Sequence, residues 1–245
     1  MDRMIYLSMT GAKSLMQRQD ALTHNLANAG TDGFRADMMT ARAVPVRQDG
    51  TSTTRVYNVE TTTGFNAVSG PARQTGNPLD VAVRDSGWLA VMGPDGNEGY
   101  TRDGALTVDE QGVLKTRRGL TVVGDGGPIT VPLNAKVTIG SDGAVSAKVG
   151  NQASLPLGQL KLVNPPLADL MKGGDGLVRL KSGDTADADP LVRVADGVLE
   201  GSNVNVVEAM VGMIGVARQF EMQMKLLQNA EENEQRAAQL LTLKG

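Results

Sequence analysis

Both ends of this chain carry an apolar stripe at helical spacing, and neither stripe has a second helix close to it in sequence that would cover it. From Asp2 to about Asn28 there is no proline, and Ile5, Ser8, Ala12, Leu15, Gln19, Leu22 and Leu26 follow in steps of three and four. That spacing lines one face of a helix roughly 40 Å long. After Asn205 proline is again absent. Val206, Met213, Phe220, Leu227 and Leu241 stand seven residues or a multiple of seven apart, and Met210, Ala217, Met224 and Ala238 each follow a position of that series by four. The pattern is a heptad repeat over roughly 38 residues, or roughly 57 Å of helix. Glu231 and Glu234 fall on the stripe and divide it into two apolar blocks. A helix with one apolar stripe is not stable alone in water, so the economical fold pairs the two ends of the chain around whatever lies between them.

What lies between is β in texture. After Pro71, short apolar runs (WLAVM, ALTV, VLKT, LTVV, KVTI) alternate with PDG, DEQG, RRG, GDGG and SDG. Four- to six-residue runs joined by such turns make antiparallel hairpins. The stretch from Pro45 to Gly64 is polar and rich in threonine and reads as an extended connector. The expected fold is therefore α+β. Residues 1–44 and 202–245 form a discontinuous α-helical coiled-coil domain, 45–64 a connector, and 65–201 an inserted antiparallel all-β domain.

The ends of the helices carry their own punctuation. The first helix runs into NLANAGTDGF, residues 25–34, where Gly30 and Gly33 are expected to take positive φ and turn the chain. Asn205 with Glu208 three positions on makes a capping box for the second helix. Gln19 on the first stripe sets register or faces solvent. Gly212 and Gly215 mark a close approach by a neighbour or are simply tolerated, at about 1 kcal/mol each in a helix interior.

Little here suggests chemistry. The single histidine, His24, lies near the end of the first helix, where it meets the helix dipole, and the absence of cysteine removes disulfides, thiolate metal sites and a cysteine nucleophile. GDGG (124–127) lacks the lysine and following helix of a phosphate loop. Asp184, Asp187 and Asp189 lack the glycine and distal glutamate of a calcium loop. Asp80, Asp85, Asp103 and Asp109 mostly sit beside glycine, where aspartate caps its own backbone; a periplasmic hydrolase using these carboxylates is the alternative of a different class. No cofactor, metal or small-molecule substrate is expected. With 24 basic and 27 acidic residues well mixed, nucleic acid is not an expected partner. No apolar run is long enough to span a bilayer, and the first residues do not read as a cleavable signal. Aromatic residues are only 3% of the chain, so Val, Leu, Met and Ala must fill the core, and the methionines of the last helix suit packing against non-identical neighbours.

Three blocks resemble flagellar rod and hook axial proteins. NLANAGTDGF, with Asn25, Leu26, Asn28, Thr31, Gly33 and Phe34, resembles the motif that closes their first helix. The run from TGNPLDVAVRDSGWLAVMG to LTVVG resembles the start of their β domain, and LEGSNVNVVEAMVGMIGVARQFEMQMKLLQNAEE their C-terminal helix. Trp88 and Leu106 stand where the family often has phenylalanine, apolar for apolar. The opening residues and the length look most like a proximal-rod member, with a distal-rod or hook-like protein as the alternative. The resemblance implies a structural subunit of the periplasmic rod of the bacterial flagellum basal body. It would be exported by the type III apparatus without cleavage and would self-assemble with neighbouring rod proteins into a helical tube that transmits torque. Its assembly stripe would be Ile5, Ala12, Leu15, Leu22 and Leu26 with Met210, Met213, Ala217, Phe220, Met224 and Leu227. A two-helix stripe broken by a polar window is marginal alone, so the terminal helices are expected to order only on assembly.

Overall fold

The structure is a computed structural model that describes residues 2–45 and 56–242. The chain divides into two compact units: residues 1–27, 37–64 and 205–245 form one, and 28–36 with 65–204 form the other.

The first unit contains α1 (Asp2–Ala27), β1 (Asp37–Pro45), β2 (Val56–Phe65, up to Gly64) and α2 (Val206–Thr242). The two helices pack on each other, α1 also touches β1, and β1 pairs with β2. The stretch expected as a connector thus contains a paired strand. Residues 46–55 of that connector lie outside the described residues, as do the side chains of Ile5, Glu234, Ala238 and Leu241. Residues 28–36, expected with the helices, belong to the other unit, because their backbone is bonded into it.

That second unit holds β3 (Ala72–Gln74), β4 (Val81–Val83), β5 (Trp88–Met92), β6 (Glu98–Thr101), β7 (Leu106–Val108), β8 (Leu114–Thr116), β9 (Thr121–Gly124), β10 (Gly127–Pro128), β11 (Ala135–Ile139), β12 (Ala144–Val149), β13 (Leu155–Gln159), β14 (Leu162–Val163), β15 (Leu170–Lys172), β16 (Val178–Leu180), β17 (Val194–Asp196) and β18 (Val198–Glu200). The largest sheet runs β15-β16-β6-β5-β9-β8-β7, with β10 added to β9 and β14 to β5; β11-β12-β13 form a second, and β17–β4 and β18–β3 are pairs. The pairings from β3 onward are antiparallel.

β5 shows why the sheet holds. Its side chains alternate, so Leu89 and Val91 enter one cluster with Val81, Leu114 and Val122, while Trp88 and Ala90 enter another with Tyr100, Val163 and Val178. A strand buried on both faces reads as the continuous run WLAVM rather than as alternation. The turns repeat one device. Asp95, Asp109, Asp142 and Asp175 each accept the amide two residues on, from Asn97, Gln111, Ala144 and Leu177.

Candidate assembly surfaces

The end of α1 is fixed by side-chain amide chemistry. Asn25 is buried; its Oδ1 accepts the Asp37 amide at 2.7 Å and its Nδ2 donates to the Asp37 carbonyl at 3.0 Å. One side chain thus does for the first residue of β1 what a neighbouring strand would do. Beside it His24 Nδ1 donates to Asp37 Oδ2 at 2.5 Å. His24 does lie in the last turn of α1, and this carboxylate partner was not visible in spacing.

Past Ala27, in the second unit, the Thr31 amide donates to the Asn28 carbonyl and the Thr31 hydroxyl to Asn28 Oδ1. Gly33 has φ +70°, and a Cβ there would lie 2.2 Å from the backbone of Arg102 and Asp103. No other residue fits. Its amide donates to the Glu200 carbonyl at 2.7 Å. Gly30 differs from expectation: it is not among the glycines at positive φ, and a Cβ would meet nothing within 4 Å. Of the two glycines only Gly33 takes positive φ, and only there does a neighbouring backbone close in. Phe34 is buried with the Lys172 ammonium 3.9 Å from its ring centroid. Asn203 repeats the amide clamp, accepting the Ala36 amide at 2.7 Å and donating to the carbonyls of Asn66 and Val68.

Between these passes lies a buried ionic group that sequence spacing did not reveal. Glu200 Oε1 meets Arg35 Nη1 at 2.6 Å and accepts the Gly70 amide at 2.9 Å, while Oε2 accepts Arg102 Nη1 at 3.1 Å. Arg102 also donates to the carbonyls of Val83 and Asp85, and burial pulls its pKa down despite Glu200. Both guanidiniums lie over the Trp88 ring, with Arg35 Cζ 5.9 Å and Arg102 Cζ 5.4 Å from its centroid.

In the helical unit, the α1 positions Ala12, Leu15, Leu22 and Leu26 are half-buried, as is Gln19, and Ser8 is buried. On α2 the inward residues are Ala209, Gly212, Met213, Val216, Phe220, Gln223 and Leu227. Met213, Phe220 and Leu227 thus face inward, but Met210, Ala217 and Met224 are exposed, and Ala209, Val216 and Gln223 hold the alternate places. Two contacts fix the phase: a Cβ on Gly212 would stand 3.3 Å from Leu22 Cδ1, so the helices approach closely there, and Gln223 Nε2 donates to the Ser8 carbonyl at 3.3 Å. Gly215 has nothing within 4 Å of a built Cβ. Val207, Met210, Val211, Ile214, Met222 and Leu226 leave a second apolar face of α2 exposed. Asn205 Oδ1 accepts the amides of Val207 and Glu208, capping the helix.

Of the candidate carboxylates, Asp80, Asp103 and Asp109 accept structural hydrogen bonds, and Asp85 is exposed at φ +52°. Asp80 accepts Asn77 Nδ2, Asp103 the Ala105 amide, and Asp109 the amides of Gln111 and Val113 with Lys115 Nζ 2.7 Å away. Burial raises the pKa of Asp103, and Lys115 lowers that of Asp109. Among the described residues no group of three or more His, Cys, Asp or Glu is placed to hold a metal ion, and no helix is long and apolar enough to cross a membrane.

Comparison with known proteins accords with this arrangement. Residues 195–240 match the family described as flagellar basal body rod FlgEFG protein C-terminal, and residues 82–147 the flagellar hook protein FlgE/F/G D1 domain. The chain is 46% identical to flagellar basal-body rod protein FlgF of Escherichia coli (strain K12), over 99% of this chain and 100% of the relative. It is 33% identical to FlgF of Caulobacter vibrioides over 98% of each, and 32% identical to FlgG of Buchnera aphidicola subsp. Schizaphis graminum over 96% of this chain and 98% of the relative. These relatives are structural proteins, not enzymes. The chain belongs to the flagellar basal-body rod protein family, as a structural rod subunit of the basal body most like the FlgF members.

Proposed function

We propose that this subunit occupies the proximal part of the rod, where it assembles with copies of itself and with neighbouring axial proteins into a helical tube that carries torque from motor to hook. The observation that carries the reading is the two-faced α2. One face is taken by α1, and the other exposes Val207, Val211, Ile214 and Met222, an apolar surface that contacts with neighbours would cover. In the assembled rod, α1 and α2 act as a coiled-coil layer, with Ala12, Leu15, Leu22, Leu26, Met213, Phe220 and Leu227 inside the pair and Met210, Ala217 and Met224 turned to neighbours. The β unit forms the outer layer. The subunit reaches the periplasmic rod through the type III export apparatus without cleavage, and its terminal helices order fully on assembly.

Two experiments test this. Gene disruption followed by electron microscopy of basal bodies should show arrest before the distal rod; basal bodies with a complete rod would refute the proximal placement, and loss of the hook alone would favour a hook-like role. Amide exchange on dilute monomer should show weak protection in α1 and α2, and strong protection across Leu15–Leu26 and Met213–Leu227 would refute ordering on assembly.

A further inference from the structure

Among the described residues, seven buried side-chain nitrogens and oxygens lack a hydrogen-bond partner, and five of them belong to one place: Arg35 Nε, Nη1 and Nη2, Arg102 Nε and Trp88 Nε1. All five are donors. Arg35 Nη1 is within 2.6 Å of Glu200 Oε1, but off axis, so that contact is one of charge rather than an aligned hydrogen bond. The carboxylate is already engaged by the Gly70 amide and Arg102. Two guanidiniums therefore face one carboxylate with none of the three side chains more than 6% exposed, and Asp85 at the surface is the next negative group to act on Arg102. A guanidinium does not shed its proton on burial as an ammonium does, so the surplus positive charge persists. Stacking on the indole faces offsets part of it, yet the Nε1–H of Trp88 lies in the ring plane and stays without an acceptor. Buried donors are nearly always satisfied in folded proteins.

We propose that the place where Arg35 and Arg102 meet beside Trp88 binds a small monovalent anion of halide size, which accepts orphaned guanidinium N–H groups and balances the surplus charge. A water molecule would accept fewer of these donors and none of the charge.

Trp88 is the chain's one tryptophan, so its emission reports this place. The full chain is titrated with sodium chloride, bromide or iodide at ionic strength held constant with gluconate, which is too large for the site. Bromide and iodide should quench Trp88 saturably, chloride should compete, and at tenfold over half-saturation Tm should exceed its value in gluconate by about 3–6 °C. Arg35→Met removes the surplus charge and should abolish both effects, whereas Glu200→Gln increases it and should lower the half-saturating halide concentration. Equal Tm in chloride and gluconate, with quenching that is linear and unsaturated, would overturn the proposal and leave indole stacking or water as the explanation. The ion series on the unmodified chain decides the matter even where a variant does not fold.

Discussion

Asn25 concentrates on one side chain the task of ending a helix and starting a strand. Replacing it by alanine removes both of its hydrogen bonds to the Asp37 backbone, at a cost of about 1–3 kcal/mol; chemical denaturation with amide exchange at Asp37 should show the loss confined to the helical unit. Two aspartates in the β unit should respond to pH in opposite senses. Asp103 is buried, and desolvation holds its pKa above the ordinary value of 3.8. Its contribution is complete below pH 3.8 and is lost as pH rises through the folded pKa, so Asp103→Asn, which keeps an oxygen for the Ala105 amide, should match the parent at pH 3 and melt higher at pH 7. Asp175 is held below 3.8 chiefly by its hydrogen bond from Arg179. Its contribution is complete above 3.8 and fades as pH falls through the folded pKa, so Asp175→Asn should cost about 0.2–1 kcal/mol at pH 7 and almost nothing once Asp175 is protonated. Melting curves at the two pH values check both signs. Sequence already indicated a turn role for Asp103; it did not indicate that this carboxylate would be buried, since that depends on strands far away in the chain.

At the scale of elements, period was legible and phase was not. The α2 heptad was read with Met213, Phe220 and Leu227 on the stripe, and these do face inward, but the alternate positions are Ala209, Val216 and Gln223 rather than Met210, Ala217 and Met224. Apolar residues on two faces give two stripes of equal period, and the choice between them rests on contacts with α1 that are remote in sequence, such as Gly212 against Leu22 and Gln223 on the Ser8 carbonyl. The glycines record that choice: Gly212 faces Leu22, and Gly215 faces open space. Val216 is only 2% exposed and Val211 64%. Val216→Asp should therefore cost at least about 2 kcal/mol and dissolve the partly formed helical pair of the monomer, measurable as loss of its residual helical circular dichroism. Val211→Asp should leave that signal intact while blocking polymerisation or motility. The β strands were easier, because turns such as DEQG and SDG and runs such as WLAVM are local statements about local structure.

At the scale of the whole molecule, sequence reasoning placed the boundary by texture, whereas the chain places it by bonding. Residues 28–36 read as the turn that closes the helical domain, yet Gly33, Phe34 and Ala36 are bonded to Glu200 and Asn203. Partners so far apart in sequence leave no local trace; Arg102 and Glu200, for instance, are 98 residues apart. A fragment spanning 28–204 should thus fold with native Trp88 emission, whereas 65–201, which lacks Arg35 and Asn203, should melt lower with red-shifted emission. The division at 27/28, 36/37, 64/65 and 204/205 has a mechanical side as well. Four peptide strands, not one hinge, join the helical unit to the β unit. A pull that drives the units apart is shared among four covalent tethers in parallel, and no single backbone cut can free either one. A subunit wired in this way stays whole under a load that would strip a domain hung from a single linker.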